Sequence, residues 1–169
     1  LAGRMQELMA EYVALDEQVG ESINATVAVC NELLESIAML NGEIGAAEGN
    51  GQEASELRDQ RDLLIDQLSV HVDIEVAEQP GGMVDIRIGS TPILLGDQSL
   101  GLAVEEHAVD GVVQLSLHAG AHGAQVQLDG GTLHGLFRQH SETIAPAMET
   151  LNQLASSLIH HVNRLHSQG

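Results

Sequence analysis

Residues 12–37 read YVALDEQVGESINATVAVCNELLESI, and their apolar positions decide the fold. Leu15, Val19, Ile23, Val27, Cys30, Leu34 and Ile37 advance by four or three residues, which keeps them on one side of an α-helix. Met5, Leu8 and Tyr12 carry the same series upstream, and the run of fours from Leu15 to Val27 inserts a stutter into an otherwise heptad-like seam. Glu7, Glu11, Glu21, Glu32 and Glu35 fill the flanks, so the apolar side needs a partner helix. Gly20 costs about 1 kcal/mol inside a helix, but it falls where the seam changes register. The glycines of Gly42–Gly51 predict the end of the helix. Run through Asn41, it is about 60 Å long at ~1.5 Å per residue. A compact domain of this size needs less, so its N-terminal half is expected to pair with the last helix or with a neighbouring chain.

Working outward, Leu57, Leu64, Ile65 and Leu68 give a second helix over about 53–70, with Arg58, Asp59, Arg61, Asp62 and Asp66 forming surface pairs at helical spacing. The short connection predicts a helical hairpin. From Val72 the period drops to two. Val72, Ile74 and Val76, then Val84, Ile86 and Ile88, flank the turn Gln79-Pro80-Gly81-Gly82, a hairpin pattern. Further strands are expected at 92–95, 102–106, 112–117 and 124–128, making a small antiparallel subdomain. The last segment is helical again: Leu133, Phe137, His140, Ile144, Ala147, Leu151, Leu154, Leu158, Val162 and Leu165 complement the first seam. Pro146 inside that run predicts a kink or a new helix start. The expected class is α+β: a long-helix bundle formed by 1–71 and 130–169, with a β-rich insertion at 72–129.

Composition limits the chemistry. Hydrophobic residues are 43% of the 169, but aromatics only 1%, so the core is aliphatic and there is no platform for stacking on bases or sugars. Twenty-five acidic residues face six arginines and no lysine, for a net charge of −19. Nucleic acid and anionic membranes need cationic patches and are poor partners for such a chain. A chain without lysine has neither a Schiff-base lysine nor a phosphate-loop lysine. The single Cys30 has no internal disulfide partner, and its seam position predicts a buried thiol. No eighteen consecutive apolar residues occur, and no cationic segment followed by an apolar one opens the chain, so no membrane insertion is expected. Leu1 stands inside a helical pattern, which points to an excised piece of a longer chain.

Nine histidines invite a metal. His118 and His122 are four apart among glycines, which places them on a loop tip, and adjacent His160 and His161 diverge on a helix, with His166 off both faces. With no HExxH and no CxxC, the expectation is no metal, no cofactor and no catalytic residue. The assembly candidates are the helix seams: Leu15, Val19, Ile23, Val27, Leu34 and Ile37 in the first helix, and Leu151, Leu154, Leu158 and Val162 in the last. Asn24, Asn31 and Asn163 beside them are candidates for setting register.

Three stretches carry a resemblance: INATVAVCNELLESIAMLNGEI at 23–44; LRDQRDLLIDQLS at 57–69 followed by VHVDIEV; and GGTLHGLF at 130–137 with the terminal VNRLHSQG. In this order they resemble the bacterial flagellar hook-associated protein 1 family, one of the two kinds of junction protein between hook and filament. The strands between about 88 and 127 add nothing to the likeness. The resemblance implies a non-enzymatic adaptor, secreted through the flagellar type III export channel with a dedicated chaperone and lacking both terminal segments here. It would assemble in a ring with sister subunits, between the hook protein and the second junction protein. Without the terminal segments, the piece is expected to be monomeric. A different class fits the helical pattern alone: a soluble coiled-coil dimerisation or signalling module with a β insertion.

Overall fold

The computed structural model describes residues 2–109 and 112–166. The terminal part of the VNRLHSQG stretch and the Asp110-Gly111 turn lie outside the described residues, as do the side chains of Leu165 and His166.

Helix α1 spans Ala2–Gly49, 48 residues and roughly 72 Å. It does not end at Gly42. A methyl group on Gly42 would stand 3.6 Å from Cβ of Asp97, and one on Gly45 would stand 3.2 Å from Sδ of Met83. These glycines are the places where the β layer closes on the helix, and that packing outweighs their propensity cost of ~1 kcal/mol each. The chain turns at Gly51, φ +76°, and α2, Ser55–His71, packs back on α1 with Leu68 and Arg61 buried. Arg61 was expected on the surface; it is 2% exposed.

Val72 is an extended, buried cap on α2, so the first strand starts later than the alternation implies. Strands β1 (Glu75–Glu78), β2 (Val84–Ile88), β3 (Thr91–Leu95) and β4 (Gln98–Ser99) form one antiparallel sheet in sequence order. Val84, Ile86 and Ile88 face the core, while Asp85 and Arg87 face away. Strands β5 (Leu102–Val109), β6 (Val112–Ala119) and β7 (Gln125–Val126) form a second antiparallel sheet. The β portion is therefore antiparallel throughout and divided into two small sheets.

The last segment is continuous but changes its winding. Helix α3 is Gly131–Arg138, a π-helical turn spans Gln139–Ile144, and α4 is Ala145–His166. Pro146 is the second residue of α4, and the N–H of Ala145 bonds the carbonyl of His140, five residues back. The wider turn before the proline takes up the strain its ring and missing donor impose.

A single apolar core joins these elements: Val19 to Ala38 of α1, Leu68 of α2, Ile86 and Leu94 of the first sheet, Leu102 and Leu117 of the second, and Leu133 and Ile144. By length and composition α1 is also apolar enough to cross a membrane. Its buried side is part of this core and carries the hydrogen-bonded Asn41, as expected of the central helix of a folded domain.

Candidate functional site

The α1 seam divides into two regimes. From Val19 onward Ile23, Val27, Cys30, Leu34 and Ile37 are all buried, and the series continues at Asn41 and Ile44 with the same steps. Before Val19 no described side chain of α1 is fully buried, and Leu15 is half-exposed. There α1 is paired with α4, and the pair leaves a groove of about 390 Å³ lined by Met5, Met9, Leu151, Ala155, Leu158 and Ile159, among others. Leu154 and Val162, placed in the seam by spacing, are 52% and 45% exposed. Leu154, Leu158 and Val162 step by four along one side of α4. Leu8, Val13 and Ile159 add exposed apolar surface on the same two helices.

The three asparagines have different surroundings. Asn24 and Asn163 are exposed. Asn31 clamps the second sheet to α1: its Nδ2 donates to the carbonyl of Leu102 (2.9 Å), and its Oδ1 accepts from the Leu102 N–H (2.7 Å). Asn41, quoted in the sequence only as part of a resemblance, is fully buried and makes four bonds. Its Nδ2 donates to the carbonyls of Val84 (2.7 Å) and Gly96 (2.8 Å), and its Oδ1 accepts from Val84 N–H and from Arg61 Nη1, both at 3.2 Å. Arg61 Nη1 also donates to the carbonyl of Gly82 (2.7 Å). One polar node thus ties α1, α2 and the β1–β2 and β3–β4 hairpins of the first sheet together. The only signal for it in the sequence is that Asn41 continues the seam spacing.

Electrostatics follow local pairs. Arg58 donates to both oxygens of Glu48 at 2.7 and 2.8 Å, fastening the end of α1 to α2. These bonds hold the Glu48 carboxyl below its ordinary value and raise Arg58. Arg138 donates from Nε (3.1 Å) and Nη2 (2.8 Å) to one oxygen of Glu142, Oε2, which likewise lowers the Glu142 carboxyl and raises Arg138. Burial pushes the Cys30 thiol up to about 11, which makes it a poor nucleophile. His140, in the expected seam, is buried with Nε2 3.3 Å from Asp16 Oδ1, joining the π turn to α1. His160 and His161 are exposed on α4. The residues with metal-ligand geometry are others: Glu105, His107 and His118 meet on the β5–β6 hairpin, their ligand atoms all within 4.8 Å of one another. His118 and His122 were both expected on a loop tip; His118 instead lies within β6, and the strand register brings it and His107 to the same carboxylate of Glu105.

The family described as the flagellar hook-associated protein FlgK helical domain matches residues 1–169. Flagellar hook-associated protein 1 of Salmonella typhimurium is 30% identical over 162 residues, covering 91% of this chain and 29% of the relative. The protein of the same name from Escherichia coli is 30% identical over 91% of this chain and 30% of its own length. That of Bacillus subtilis is 45% identical over 60 residues, 36% of this chain. The structure of the flagellar hook junction protein FlgK from Burkholderia pseudomallei superposes with a TM-score of 0.73 at 29% identity, covering 92% of this chain and 29% of that one. The chain therefore spans under a third of the length of these relatives.

Proposed function

The chain belongs to the FlgK family of flagellar hook-associated proteins, and from that premise we propose that it is the helical part of a structural adaptor joining hook to filament. The observation that carries this reading is the uneven burial of α1. Its C-terminal part is the core of a folded body, while its N-terminal part and α4 form a paired stalk with uncovered apolar surface. A tubular assembly needs this division, because the body must fold alone while the stalk completes its packing against other segments.

In this reading the stripe of Leu154, Leu158 and Val162, exposed at Leu154 and Val162, packs against sister subunits in a ring, or against the hook protein and the second junction protein. The chain reaches that place by flagellar type III export with a chaperone, and acts outside the cell. The side chains at 1–71 and 130–169 do the helical packing, and the strands of 72–129 brace the body. Neither nucleic acid nor membrane insertion is part of the role, and the work is structural rather than enzymatic.

Deleting the gene in its own flagellated bacterium is the test. Hooks should still form while filament subunits leak into the medium, and the wild-type gene, but not Leu154→Glu/Val162→Glu, should restore filaments. Normal filaments in the deletion strain would overturn the proposal. A separate check addresses the competing dimerisation module, which the exposed apolar face of α4 favours. Light scattering of this chain at micromolar concentration should give a monomer; a tight dimer lost in the same double variant would support the competitor.

A further inference from the structure

We propose that Glu105, His107 and His118 form a binding site for a divalent transition-metal ion of the zinc class on the β5–β6 hairpin. The placement follows from strand geometry. Side chains of one strand alternate between faces, so Glu105 and His107 share a face of β5, and Ser116 and His118 share a face of β6. The register pairs Glu105 with Ser116 and Ala103 with His118. His118 is therefore the diagonal neighbour of Glu105 across the ladder.

The distances suit a metal. Glu105 Oε2 lies 3.5 Å from His107 Nε2 and 3.6 Å from His118 Nε2. Ligand atoms around a tetrahedral zinc, at ~2.0–2.1 Å from the ion, are about 3.3 Å apart, so small side-chain movements close the site. His118 Nδ1 is 3.0 Å from the carbonyl of Gly123. A carbonyl only accepts, so Nδ1 carries a proton, and Nε2 is the nitrogen that a metal would take. The metal-ligating histidines of many proteins are oriented by such a bond to the far nitrogen. Nε2 of His118 and Oε2 of Glu105, 3.6 Å apart, can then both coordinate one cation placed between them. Ser116 Oγ, 3.1 Å from His118 Nε2, has the Glu105 carbonyl at 3.4 Å as an alternative acceptor and can release the nitrogen.

The donor set selects the ion. Two imidazoles and one carboxylate suit zinc, nickel or copper, whereas magnesium and calcium prefer all-oxygen shells. The fourth position is open to water or to His122, whose Nδ1 is 4.0 Å from Glu105 Oε1 on the exposed loop before β7. An ion there would cross-link β5, β6 and that loop. The site stands on this chain's residues alone and does not depend on the junction role.

The experiment is calorimetric titration of untagged, chelator-treated protein with zinc chloride, then nickel chloride, with magnesium chloride as control. The expected result is one zinc per chain at micromolar affinity. His107→Ala, an exposed position that leaves the strand pairing intact, and His118→Gln should each weaken binding by tenfold or more. His160→Ala/His161→Ala should leave it unchanged. The proposal is overturned by absence of stoichiometric zinc binding, by equal binding of magnesium, or by loss of binding with the His160/His161 variant instead.

Discussion

Asn41→Leu tests whether the polar node, rather than apolar burial alone, joins the helices to the first sheet. Leucine keeps the branched shape of asparagine and the helix but none of its hydrogen bonds, and its bulkier methyl groups add overpacking to the loss. The N–H and carbonyl of Val84, the carbonyl of Gly96 and one N–H of Arg61 would all lose their Asn41 partner. Leaving a buried polar group unpaired costs ~1–3 kcal/mol, and Arg61 keeps its bond to Gly82. Taken at the lower ~1–2 kcal/mol each, three orphaned backbone groups cost roughly 3–6 kcal/mol, offset by about 1–2 kcal/mol from the added apolar burial. The expected net loss is about 3 kcal/mol, equivalent to a melting midpoint lower by roughly 6–12 °C for a chain of this size. With no tryptophan and one tyrosine, unfolding is best followed by circular dichroism at the helical band, in urea and by heat. Exposed Asn24→Leu and Asn163→Leu should stay within about 0.5 kcal/mol of the parent. In a double-mutant cycle with Arg61→Leu, the two changes should couple by about 1 kcal/mol or more. An Asn41→Leu protein that loses under 1 kcal/mol at unchanged urea slope would refute the reasoning.

Asn31→Ala should cost about 1–2 kcal/mol and speed hydrogen exchange at the Leu102 amide, the N–H it accepts from; unchanged protection there would show that the clamp does not hold β5. Glu48 and Glu142 are held below their ordinary value of 4.5 by bonds from Arg58 and Arg138. A carboxylate with a depressed folded-state value stabilises the fold above its unfolded value and loses that contribution as pH falls through the folded one. Melting midpoints should therefore carry the full, pH-independent contribution of these groups between pH 6 and 8 and show an acid decline setting in below about pH 4.5, which Glu48→Gln makes shallower; an identical decline in that variant would remove Glu48 from the account. Cys30, raised to about 11 by burial, should not react with a thiol reagent at pH 8 in the native protein and should react fully in urea; rapid native reaction would mean that α1 opens at its centre.

The seam of α1 was legible because a helix repeats every 3.6 residues, so one sequence carries its own record of which side is covered. Its depth was not. Leu15 and Val27 look alike in spacing, yet one is half-exposed and the other buried, because burial depends on what lies opposite. Gly42 and Gly45 read locally as helix breakers and serve as contact points for Asp97 and Met83. Arg61 read as a surface charge because its acceptors, Asn41 and the Gly82 carbonyl, are 20 and 21 residues away. For Pro146 the break was visible, while its resolution by a π turn depended on the packing of His140 and Ile144.

By itself, then, the amino-acid order determined the class of the protein: long aliphatic helices around a stretch of alternating strands, with charge unsuited to nucleic acid. Those are properties of periodicity and composition, which each segment carries locally. Only the tertiary structure decided which polar groups meet. Asn41 with Arg61, Asn31 with Leu102, and Glu105 with His107 and His118 are joined by helix docking and strand register, and a shift of one residue in that register would turn His118 to the opposite face.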